Sequence, residues 1–208
     1  MSAREPRHFS MLRSFHLADL FTLLNGFLGA GAVLAFMRFS VANETRFFWL
    51  GTALLPIALV MDALDGRIAR RRGMASPLGQ ELDSLADVVS FGVAPAAMAF
   101  AAGLRGGWDA LFLIYFVGCG ISRLARYNVS ASAAAAAESK VRVFEGFPIP
   151  SSLLLVALMA ALAALDRWQA RLPLGAFSLG GITLHPLALL FGLHGSAMIS
   201  KTIRIPKP

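Results

Sequence analysis

Apolar residues dominate this chain in six long blocks of 17 to 26 residues, with polar and charged residues mostly confined to the short stretches between them. The blocks fall near Leu17–Met37, Phe47–Leu64, Leu82–Leu104, Trp108–Leu124, Ile149–Leu165 and Leu174–Ile199. About 20 apolar residues in a helix cross a bilayer, so each block is long enough to span. Lipid offers no partner to a free N–H or C=O, which forces such segments into helices. The pattern therefore predicts an all-α protein, a polytopic membrane helical bundle with six transmembrane helices. Short connections make most sequence neighbours antiparallel.

Three regions follow from this pattern. Residues 1–16 form a basic segment in which Arg4, Arg7 and Arg13 alternate with Phe9, Met11, Leu12 and Phe15. That mixture suits a short amphipathic helix lying on a membrane surface, and equally a disordered basic tail. It lacks a cleavable signal pattern. Residues 17–200 hold the six spans, and 201–208 form a basic tail. The largely alanine stretch Ala131–Ser139 reads as a variable connection.

Charge sets an orientation. With the N-terminus in the cytoplasm and sides alternating, the cytoplasmic stretches collect 14 of the 19 Lys and Arg residues. The opposite side keeps Arg38, Arg46, Arg105, Arg167 and Arg171. The positive-inside rule then places both termini in the cytoplasm. Trp49, Trp108 and Trp168 all fall near the other ends of the spans, as an aromatic belt would. A 57% apolar composition and a mean hydropathy of +0.66 exclude a soluble basic domain. The net charge of +7 thus reads as attraction to anionic lipid headgroups, and nucleic acid is not expected as a partner.

Candidate chemistry is concentrated in one window of 26 residues, where Asp62, Asp65, Gly66, Ala69, Arg70, Gly79, Asp83 and Asp87 form the pattern D-x2-D-G-x2-A-R-x8-G-x3-D-x3-D. Ionisable groups beside lipid are expensive and usually functional. Asp62 and Asp65 are three apart and Asp83 and Asp87 four apart, so each pair shares a helix face. Two such faces turned together make an oxygen-only cage suited to Mg2+ or Mn2+.

This pattern resembles the signature of the CDP-alcohol phosphatidyltransferase family at every fixed position. Members of that family move a phosphatidyl-type group from a CDP-linked lipid to an alcohol and release CMP. The resemblance implies two divalent ions on Asp62, Asp65, Asp83 and Asp87, with Asp87 also taking the hydroxyl proton as general base. Gly66, Ala69 and Gly79 would let a nucleotide approach the backbone, and Arg70 would pair with diphosphate oxygens. Arg71 and Arg72 read as interface charges. Asn25, a buried amide in the first span, is a further candidate near the diphosphate, beside Gly26, Gly29 and Gly31, whose simple reading is close helix packing.

Shorter segments are similar to those of family members that use serine as the acceptor alcohol. They are DVVSFGVAP from Asp87 to Pro95, RLARYN from Arg123 to Asn128, FEGFPIP from Phe144 to Pro150, and SKTIRIP from Ser200 to Pro206. Serine carries a carboxylate, for which Arg123 and Arg126 are candidate partners; positive-inside anchoring is their simpler reading. The resemblance thus implies CDP-diacylglycerol and L-serine as substrates, membrane lipids as surroundings, a homodimer, and a prokaryotic cytoplasmic membrane with the site facing the cytoplasm. Inositol phosphate or glycerol 3-phosphate as acceptor, or an archaeal-type CDP-lipid donor, would fit the same cage. A membrane polyprenyl transferase and a divalent-cation transporter are rival classes. The first keeps its acidic motifs on separate helix pairs, and the second has no need of the glycines, Ala69 and Arg70 in register. His8, His16, His185 and His194 show no metal-ligand spacing, and Cys119 reads as a small buried side chain.

Overall fold

The structure is a computed structural model, describing residues 17–72, 77–136, 143–202 and 204–206. Within helix α2 the side chains of Ala69, Arg70, Arg71 and Arg72 are outside that description, as is the whole of the expected N-terminal segment 1–16.

Helices α1 (Leu17–Ala42) and α2 (Thr45–Arg72) form an antiparallel hairpin. Asp19 sits in the first turn of α1, where a negative charge favours the helix dipole. Asn43 ends α1 in a left-handed turn (φ 52°), its N–H returning to the Phe39 carbonyl at 2.8 Å. Next, α3 (Pro77–Asp87), a π-helical stretch (Val88–Val93) and α4 (Ala94–Ala101) run on as one long helix. In the π stretch Ala94 N–H bonds back five residues to Val89 O. Pro95 has no N–H for the preceding turn, and a single widened turn is the usual way a helix absorbs such a mismatch.

Helix α5 (Gly107–Ala136) follows, then α6 (Leu153–Ala164), entered through a 3-10 turn at Ile149–Ser152, and α7 (Pro186–Ile199). Four three-residue strands complete the described chain. Strand β1 (Val143–Glu145) pairs antiparallel with β4 (Arg204–Pro206), and β2 (Phe177–Leu179) with β3 (Ile182–Leu184).

The end of α2 and the start of α3, and the ends of α5 and α7, lie together at one end of the bundle. Four helical stretches are long and apolar enough to cross a membrane: Asp19–Ala42, Thr45–Ile68, Leu78–Ala101 and Gly107–Ala131. With apolar helices of this length the protein is an integral membrane protein. Ile149–Ala164 and Pro186–Ile199 are shorter apolar helices. At about 1.5 Å per residue they reach ~24 and ~21 Å, against a hydrocarbon core of about 30 Å.

Two expectations are corrected here. The sixth apolar block does not form one helix from Leu174. Its first half is the β2–β3 hairpin, because Gly180 and Gly181 both take positive φ (63° and 78°) and close a tight two-residue turn. Pro186 then opens α7. Nor is Ala131–Ser139 simply a loop: alanine favours helix, and α5 runs on to Ala136. Residues 137–139 lie outside the described part.

The two ends of the bundle pack differently. Away from the aspartate motif, Trp168 stacks on Phe39 (centroids 5.2 Å apart) and meets Phe48 edge-on at 4.9 Å, while Phe36 and Phe39 flank Phe48. Toward the motif, aromatic bulk gives way to small residues. A Cβ on Gly29 would stand 2.7 Å from Ser90 Cα and 2.9 Å from Ser90 N, and one on Gly26 would touch Ala86 Cβ at 3.4 Å. Backbone thus lies nearly against backbone where α1 crosses α3 and the π stretch.

Candidate functional site

The last turns of α2 carry Asp62 and Asp65, and α3 carries Asp83 and Asp87. One oxygen from each of Asp62, Asp83 and Asp87 lies within 4.8 Å of the other two. Asp87 is buried, whereas Asp62 and Asp83 are partly exposed. The Asp62 carboxyl group stands against that of Asp83. Asp83 Oδ1 is nevertheless buried without a hydrogen-bond partner among the described residues.

Asp65 takes a different position. Its carboxylate receives the Thr22 hydroxyl at 2.8 Å, and Asp19, also buried, lies close enough for its charge to be felt. Asp65 is therefore held against α1, at the edge of the three-carboxylate group. Asn25 is fully buried, and its Nδ2 donates to Asp87 Oδ1 at 3.3 Å. Its backbone carbonyl accepts from Ser90 Oγ at 2.9 Å, and its side-chain Oδ1 has no described partner. The free atom of Asn25 is thus an acceptor. Nδ2 keeps a second N–H beside the one it gives to Asp87.

The two candidate arginines diverge. Arg123 is 8% exposed, its Nε has no described partner, and it feels the Asp87 carboxylate. Its guanidinium carbon lies 6.0 Å from the Tyr127 ring centroid. Arg126 instead donates through Nη1 and Nη2 to the Ile199 carbonyl at 3.3 and 3.2 Å, capping the end of α7. Gly66 lies in α2 beside Asp65, and Gly79 in the first turn of α3. For Ala69 and Arg70 the backbone alone is described.

Sequence reasoning passed over Thr22, Asp19, Ser90 and one further group. Asn128 Nδ2 donates to Ser84 Oγ (3.0 Å) and Glu81 Oε2 (3.4 Å), and Gln80 Nε2 donates to Asn128 Oδ1 (3.4 Å). This amide ties the helix of Arg123 to the helix of Asp83. Its signal was present in the RLARYN segment, which ends on Asn128.

Such a donor set consists of hard oxygens alone, gathered between apolar helices, with one carboxylate oxygen still unmatched. It suits a hard divalent cation better than a soft one. Fold and site define a helical integral membrane protein with an acidic centre set among its spans. The family description "CDP-alcohol phosphatidyltransferase" matches residues 15–193, and the chain belongs to that family.

Individual relatives extend this likeness. The chain is 43% identical over 207 residues, 98% of its length and 75% of the relative's, to a Saccharomyces cerevisiae protein named CDP-diacylglycerol–serine O-phosphatidyltransferase. Proteins of the same name from Helicobacter pylori and Methanocaldococcus jannaschii are 37% and 34% identical over 69% and 71% of the chain. The chain spans 59% and 62% of those two relatives.

Proposed function

We propose that this protein transfers a phosphatidyl group from CDP-diacylglycerol to the hydroxyl of L-serine, forming phosphatidylserine and releasing CMP. One observation carries the reading: oxygens of Asp62, Asp83 and Asp87 meet within 4.8 Å between apolar helices. It stands in a chain that matches one relative named for this reaction along nearly its whole length, and others along about two thirds of it.

Asp62, Asp65, Asp83 and Asp87 would hold divalent ions, Mg2+ or Mn2+. Two such ions, when bound, supply charge that screens the diphosphate, polarises the attacked phosphorus and stabilises the departing CMP. Asp87 accepts the serine hydroxyl proton. The hydroxyl oxygen then bonds to the phosphorus nearest the lipid, and the bond from that phosphorus to the CMP oxygen breaks with its electron pair leaving on CMP. Asn25 orients Asp87 through its Nδ2–H. The arginine beside Asp87, Arg123, is the cation best placed for the serine carboxylate. Arg126 supports the site from behind by fixing α7 against α5. Gly66, Ala69 and Gly79 leave room for the nucleotide, and Arg70 pairs with the diphosphate.

In this reading residues 17–200 are one catalytic unit of six spans, with residues 1–16 on the membrane surface and 201–208 as a basic tail. Both termini and the aspartates face the cytoplasm of a prokaryotic cell, where serine is available, and the protein works as a homodimer. A reporter fused after Pro208 should report from the cytoplasm.

The activity test is CMP release from CDP-diacylglycerol by purified protein with serine, inositol phosphate or glycerol 3-phosphate. Metal-dependent release with serine is the expected result. Release only with another alcohol would overturn the acceptor and leave the family chemistry standing. No release with any alcohol would overturn the enzymatic reading.

A further inference from the structure

At the end of the bundle away from the aspartates lies an open cavity of about 440 Å³, lined by Ser40, Asn43, Gly103, Arg105, Gln169 and His185 among others. Its lining is mostly polar and includes no carboxylate. Asp109, which contacts the lining residue His185, is fully buried and already occupied. It accepts Gly106 N–H at 2.7 Å, His185 N–H at 2.7 Å and His185 Nδ1 at 2.6 Å. With Nδ1 committed, Nε2 donates to an anion only where the ring is protonated.

Arg105 is held in place from behind. Its Nε donates to Phe100 O and its Nη2 to Ala101 O, each at 3.2 Å, which leaves Nη1 uncommitted. Gln169 donates from Nε2 to Asn43 Oδ1 at 3.1 Å, so two amides form one wall. Three lining residues take left-handed backbone: Asn43 (φ 52°), Gly103 (φ 129°) and Gln169 (φ 50°). Asn43 is a helix cap, but Gln169 has no such excuse, and strain of that kind gathers at ligand clamps.

Depth in the membrane is marked independently. Trp49, Trp108 and Trp168, the chain's three tryptophans, all stand at this end, the level where indole rings sit against lipid headgroups. We infer that this cavity binds the phosphate of a phospholipid headgroup, from the leaflet opposite the aspartates. The Arg105 guanidinium and the amide N–H groups of Asn43 and Gln169, in a lining without a carboxylate, recognise an anion, and the tryptophan level selects a lipid-borne phosphate over a free one. The inference does not depend on which alcohol the aspartate site uses.

Because every tryptophan is at this end, intrinsic fluorescence reads the cavity without reading the aspartates. The protein, purified in detergent with EDTA, is titrated with dioctanoyl phosphatidylglycerol, with inorganic phosphate and with dioctanoylglycerol. A saturating change with the phospholipid alone is expected. Arg105→Gln and Ser40→Glu should each weaken it at least tenfold while leaving CMP release unchanged. Ser40→Glu touches no helix cap, so it tests the cavity even where Arg105→Gln misfolds. An equal response to dioctanoylglycerol would overturn the phosphate, and equal affinity for inorganic phosphate would overturn the lipid. Undiminished binding in Ser40→Glu would remove the cavity.

Discussion

Buried aspartates occur at both ends of this bundle, and their surroundings could hardly differ more. Asp109 is alone, takes two backbone N–H groups and a histidine ring nitrogen at 2.6–2.7 Å, and thereby locks the start of α5 to the start of α7. Asp62, Asp83 and Asp87 face each other with few donors, and one carboxylate oxygen is left unmatched. A buried acid saturated by backbone donors holds a fold together. Several acids gathered against one another around a buried one oppose the fold unless something of opposite charge joins them. The first arrangement is structural, and the second is a site.

Substitution should separate the two most sharply. Asp83→Asn or Asp87→Asn is expected to lower CMP release by about 10²–10⁴-fold, the range for losing a positioned acid–base or ligand group. The melting temperature of metal-free protein should hold or rise, since like charges are thinned. Asp109→Ala should do the reverse. Each donor left unpaired costs about 1–3 kcal/mol, so thermal stability in detergent should drop well below wild type while turnover per folded molecule stays near normal. A stable Asp109→Ala protein would erase the distinction.

Gly29→Ala sharpens the same contrast at the helix crossing. The added methyl meets Ser90 backbone at 2.7 Å, and overpacking of this kind costs about 1–3 kcal/mol. Asn25 and Asp87 should lose register together, with activity falling alongside melting temperature. Ser90→Ala should not rescue it, because the clash includes backbone atoms. A narrower effect, confined to metal affinity, is expected at Thr22. Thr22→Val removes one hydrogen bond to a carboxylate, worth about 1.5–3 kcal/mol at most, and should raise the Mn2+ concentration for half-maximal activity. Thr22→Ser should restore it.

Much of this was legible in the chain. The aspartate spacing put each pair on one helix face before any fold was known, and the hairpin brings three of the four together. Asn25 stood out as an amide among apolar residues, and the structure sets it on Asp87. Asp109 was not legible, because its partner His185 lies 76 residues away and neither has a helical spacing to betray it. Thr22 was hidden for a related reason: a threonine in an apolar helix ordinarily bonds to its own backbone, as Thr52 does to Phe48 O at 2.8 Å. The β2–β3 hairpin had its signal in Gly180–Gly181, but hydropathy averaged over the block concealed it. Arg123 and Arg126 looked equivalent by spacing, and only packing separates them. One is buried within electrostatic reach of Asp87, while the other is drawn to the free carbonyl at the end of α7.

The central claim is that the gathered acids, and not buried acids in general, hold the divalent ion. Mn2+ binding to purified protein, followed by electron paramagnetic resonance of the free ion, tests it directly. Wild type and Asp109→Asn should bind Mn2+ alike, and Asp83→Asn should bind at least tenfold more weakly. Equal binding by Asp83→Asn and wild type would contradict the account.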